Sequence, residues 1–116
     1  MSTIVAVLAA LIHVYIFYLE SFAWENPKTL KVFKMTAEQA NVSRDLAFNQ
    51  GFYNLFLAVA VVIGLSWGER NLVDFGMGSI LAAAVVLLIR KPKMLRGASI
   101  QGLPALLYFM SRILGF

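Results

Sequence analysis

Four long apolar stretches, separated by short segments that hold nearly all of the charge, constrain this chain more than any other feature. They run from about Thr3 to Trp24, Leu46 to Trp67, Leu72 to Ile89 and Ala98 to Phe116. A helix needs about 20 mostly apolar residues to cross the hydrocarbon of a bilayer, and each stretch meets or approaches that length. Of the 116 residues, 60% are hydrophobic and only 14% charged, and the mean hydropathy is +0.77. Soluble domains carry roughly a quarter charged residues. The expectation is an all-α membrane protein: one domain over 1–116, a bundle of four transmembrane helices. Pro104 interrupts the fourth stretch, but neighbouring helices can re-satisfy the carbonyl that a proline frees, so a kinked and intact span is expected there. The N-terminus has no basic start, and its apolar run outlasts the core of a signal peptide, so it is expected to span.

The placement of charge predicts the topology. Loop one carries Lys28, Lys31, Lys34 and Arg44, and loop three carries Arg90, Lys91, Lys93 and Arg96. Loop two has Arg70 beside Glu69, and the C-terminal end has Arg112. In a four-span chain, loops one and three share a side, and excess Lys and Arg mark that side as cytoplasmic. Both termini then face outward, and the chain is expected to lie in the inner (cytoplasmic) membrane of a bacterium as a multi-pass protein. The net charge of +4 is thereby accounted for without a nucleic-acid partner.

Loop one has its own local signals. Asn26 followed by Pro27 reads as an N-cap and first helical position. Leu30, Phe33 and Ala37 would share one face of a short interfacial helix. Thr36 with Gln39 reads as a capping box, which would start the second long helix near Ala37, ahead of its apolar stretch. Gly64 and Gly68 form a GxxxG pair, and Gly76, Gly78, Ser79, Ala82, Ala83 and Ala84 make the third stretch small-sided, so close helix packing is expected at both.

The polar residues inside the spans carry whatever chemistry the chain has. Asn49, Gln50, Tyr53 and Asn54 fall within six residues of the second span, in its cytoplasmic half. Gln50, Tyr53, Asn54 and Leu57 share a face by their spacing. Glu20 lies near the cytoplasmic end of the first span, with His13 seven residues earlier on the same face. Gln101 and Tyr108 share a face of the fourth. An ionised carboxylate near the membrane centre costs roughly 2.5–3.5 kcal/mol on insertion scales, and unpaired carboxamides are costly too. Turning these faces toward one another removes that cost. A polar cluster of Glu20, Asn49, Gln50, Tyr53, Asn54, Gln101 and Tyr108 is expected, with His13 at its inner end. Asp74 is expected to be solvated at the outer end of the third span, and Arg112 to reach the outer surface.

Some chemistries are excluded. There is no cysteine and only one histidine, so neither a thiolate centre nor a multi-histidine metal site can form within one chain. No nucleotide, metal or nucleophile motif is present, and no cofactor is expected.

Three segments resemble a known family. "HVYIFYLE" at 13–20, "NQGFYNLFLA" at 49–58 and "GASIQGLPALLY" at 97–108 look like the signature segments of a small bacterial membrane-protein family, catalogued as a domain of unknown function, number thirteen-oh-four. The resemblance covers essentially the whole chain. It implies a four-helix integral membrane protein, brings no activity, and places the family's characteristic polar residues at His13, Glu20, Asn49, Gln50, Tyr53, Asn54 and Gln101. A weaker likeness, of fold alone, is to the membrane-associated eicosanoid and glutathione metabolism proteins, four-helix bundles that are usually trimers. Asn54 matches an Asn of their second helix, but Tyr53 stands where they carry Glu.

Three functional readings follow. In the first, the cluster is an intramembrane pocket that binds, or binds and modifies, a lipid-like amphiphile. Glu20, Asn49, Gln50, Tyr53, Asn54, Gln101 and Tyr108 would then be ligand-binding, and His13, Glu20 and Tyr53 the catalytic candidates. In the second, the chain is a small proton-coupled exporter that depends on Glu20. In the third, the polar residues only hold helices together in a structural or partner protein. A chain this short encloses little volume, so a homo-oligomer is expected in each.

Overall fold

The computed structural model describes residues 1–116. Five helices account for most of the chain: α1 Ser2–Phe22, α2 Pro27–Phe33, α3 Ala37–Trp67, α4 Arg70–Arg90 and α5 Leu95–Leu114, with one 3-10 turn at Pro92–Met94 and no strand. Three of them, α1, α3 and α4, are long and apolar enough to cross a membrane. The fourth long helix, α5, has 20 residues and continues through the buried Pro104.

The long helices form a ring. α1 packs on α3 and α5, α4 packs on the same two, and α1 barely meets α4 across the centre. Short connections enforce the up-and-down course: only Gly68 and Glu69 separate α3 from α4. The molecule measures 46 × 27 × 19 Å. At 1.5 Å per residue, the 31 residues of α3 span about 46 Å, so this one helix sets the long dimension.

Small side chains line the middle. Ala6, Ala9, Ala10, Ala58 and Ala105 pack with Val61, Val73, Met77, Ile80 and Tyr108 in one core. Only 26 of 116 residues are buried. Large apolar residues on the outside, such as Phe75 at 72%, Ile89 at 76% and Ile113 at 81% exposure, would be a liability in water. Against acyl chains they have nothing to hide from.

The helix ends follow their local chemistry. The Asn26 side chain accepts from the Lys28 amide, with Pro27 at the first helical position. Thr36 and Gln39 form a reciprocal capping box, so α3 starts at Ala37. Because the chain breaks at Lys34–Thr36, Ala37 belongs to α3 and does not share a face with Leu30 and Phe33. The GxxxG expectation is corrected in part. Gly64 is buried where a Cβ would strike Val73, whereas Gly68 is the left-handed C-cap of α3, at φ 71°, with open space around it. Gly68 ends the helix and makes no packing contact.

Candidate functional site

Glu20 and Asn54 meet across the α1–α3 contact. The Asn54 Nδ2 donates to Glu20 Oε1 at 2.5 Å, and lies 3.4 Å from the Gln50 carbonyl one turn earlier. Glu20 is 9% exposed. The approach that allows this is made at Gly51, where any Cβ would run into Ser21 and the Phe17 carbonyl. With the helices this close, Ser21 Oγ donates to the Phe48 carbonyl at 2.8 Å. Phe17 packs edge-on against Phe52, and Phe22 against Phe48. A glycine, a serine and four phenylalanines thus fix the register in which Glu20 faces Asn54.

Two crevices flank the carboxylate. One, of about 500 Å³, is walled by Tyr18, Ser21, Phe22, Trp24, Arg44 and Phe48 among others, with Glu20 at its edge. The second, of about 180 Å³, is lined by Glu20, Trp24, Ser43, Leu46, Ala47 and Gln50. Trp24 stands in both, anchored by its indole N–H donating to Ser43 Oγ at 3.1 Å. Beyond it, Glu25 accepts from the Asn41 carboxamide at 3.2 Å and pairs with Arg44 at 3.6 Å. The site therefore has an apolar aromatic flank, one carboxylate and a carboxamide beside it, and a charged rim.

The other expected site residues fall in different places. Gln50 is exposed and borders the smaller crevice. Asn49 and Tyr53 are exposed on α3, Tyr53 by 60%, so they point away from the pair. His13 is buried, and its Nδ1 lies 2.9 Å from the Ala9 carbonyl of its own helix. A carbonyl only accepts, so that nitrogen carries the proton in this contact. Gln101 is half-buried on α5. Tyr108 is corrected outright. Its fully buried ring lies in the core, and its hydroxyl donates to Asp74 Oδ1 at 2.5 Å at the opposite end of the bundle. Arg112 closes on the same carboxylate, Nη2 to Oδ2 at 2.8 Å. Asp74 is therefore paired while still partly exposed, and Arg112 reaches it from the exposed outer end. That pair had a readable signal, since opposite charges at matching depths in neighbouring spans tend to pair. The roles of Ser21 and Ser43 had none. No three His, Asp or Glu side chains come together as a metal site would need.

A family model described as "Protein of unknown function (DUF1304)" matches residues 7–112. The chain belongs to that family. The match takes in both members of the Glu20–Asn54 pair and all of α3, α4 and the 3-10 turn. Comparison with curated proteins gave no match, and neither did comparison with solved structures.

Proposed function

We propose that this chain is a multi-pass protein of the bacterial inner membrane that binds a lipid-like amphiphile at the Glu20–Asn54 pair. It crosses the bilayer four times, α5 included, with both termini outside and loops one and three in the cytoplasm. Support for that course comes from a contact between the two loops: the Lys34 ammonium donates to the Lys93 carbonyl at 2.7 Å. The basic segments thus share one end of the bundle, which the positive-inside rule assigns to the cytoplasm.

The observation that carries the functional reading is a buried carboxylate with a single neutral partner between two crevices. Glu20 Oε1 is engaged by Asn54, and the carboxylate keeps acceptor capacity for a hydroxyl or amine of a ligand. The phenylalanine flank suits an acyl chain. If the bound molecule is also modified, Glu20 is the group placed to exchange a proton with it. Asn49 and Tyr53 support an oligomer, since a second copy would cover polar groups that otherwise face lipid. An alternative is proton-coupled export, which a lone buried carboxylate on the first span favours.

Native mass spectrometry of the gently extracted protein tests the reading. Wild type retains a small amphiphile in stoichiometric amount. Glu20→Gln and Asn54→Ala lose it while keeping their fold. Export predicts pH-dependent efflux that Glu20→Gln abolishes. A purely structural pair predicts lower thermal stability in the variants and no retained molecule in any of them.

A further inference from the structure

Lys34 of loop one and Lys91 and Lys93 of loop three converge on a third crevice, which shares Trp24 and Ser43 with the smaller crevice beside Glu20. Its volume is about 420 Å³. Lys34, Lys91 and Lys93 line its polar part, and Phe33, Leu87 and Met94 its apolar part. No carboxylate is among its walls, and none of the three lysines belongs to an ion pair; the ion pairs of the chain join Arg44 to Glu25 and Asp45, and Arg112 to Asp74. The three lysines are exposed, so water screens their mutual repulsion in part, and an anion seated among them would lower it further.

Two further features favour an anion there. The Lys34 ammonium spends one hydrogen bond on the Lys93 carbonyl, which ties the two loops together and leaves two protons to donate. α5 also begins beside the crevice, with Met94 as its N-cap and no side-chain cap; the start of α3 adds less, because Thr36 and Gln39 cap it and Glu38 stands in its first turn. Helix N-termini present amide hydrogens and the positive end of the helix dipole.

We propose that this crevice is a binding site for the phosphate headgroup of an anionic membrane lipid, whose acyl chains run down over Phe33, Leu87 and Met94. Basic pockets between spans on the cytoplasmic side suit such headgroups. The site is separate from the Glu20–Asn54 pair and stands whether or not that pair binds anything.

The test is lipid retention by the full-length protein in detergent, read by native mass spectrometry. Phosphatidylglycerol is compared with phosphatidylcholine, and glycerol 1-phosphate serves as a soluble competitor. Each lysine near the membrane surface contributes roughly fivefold, so the triple variant K34Q/K91Q/K93Q should bind phosphatidylglycerol on the order of a hundredfold more weakly. Each single variant, which removes less, should lose about fivefold. Glu20→Gln should leave this binding unchanged. Equal retention of the two lipids, or wild-type retention by the triple variant, would overturn the proposal. So would competition by glycerol 1-phosphate as strong as by the lipid itself, because the apolar wall would then contribute nothing.

Discussion

Glu20 and Asp74 are the two carboxylates carried into the apolar body of the bundle, and they find different partners. Asp74 meets a guanidinium on both oxygens and a phenol as well. That clasp is closed, with little left to offer a ligand. Glu20 meets one neutral carboxamide and remains open beside two crevices. On the proposed reading, the Asp74 clasp serves stability and Glu20 serves binding. Replacing Asp74 with Ala leaves the hydroxyl of the fully buried Tyr108 without its acceptor, while the exposed Arg112 is released to solvent. The lost phenol hydrogen bond should cost about 1 kcal/mol. Denaturation in detergent would measure it, and the amount of retained amphiphile should not change.

At the scale of the elements, α3 organises the molecule, and Gly51 is its critical residue. A Cβ at Gly51 would need Ser21 to move and would press on the Phe17 carbonyl and Ser21 amide, both 3.1 Å away. Gly51→Ala should therefore push α1 from α3, break the Ser21–Phe48 hydrogen bond and cost about 1–3 kcal/mol. Thermal unfolding should fall accordingly, and amphiphile retention should fall with it, because Asn54 would no longer reach Glu20. Much of this element was legible in the sequence. Thr36 and Gln39 marked its start, and its apolar run marked its body. What was not legible was which of four neighbouring polar residues faces α1. A helix turns 100° per residue, so Asn49, Gln50, Tyr53 and Asn54 cannot all share one face, and only the packing at Gly51 decides among them. Gly68 was misread for a related reason: a GxxxG spacing looks the same whether its last glycine packs or ends the helix.

For the whole molecule, apolar length and basic loops were enough to predict a helical bundle, because a bilayer leaves few alternatives. The ends of the bundle were harder. Tyr108 is on a helix that also carries Gln101, and only rise along that helix puts the two at different depths, seven residues or about 10 Å apart. A polar site beside Glu20 and a basic crevice beside Lys34 lie at one end of the bundle, with an ionic clasp at the other. The proposed binding site requires that Glu20 and Asn54 face each other within the protein. The chain contains no cysteine, so paired substitutions can be read cleanly. With Glu20→Cys and Asn54→Cys in one chain, a short bifunctional thiol reagent added to membranes should join the two positions within that chain, while Glu20→Cys with Tyr53→Cys should remain unjoined. Cross-linking through position 53 and not through position 54 would contradict the account.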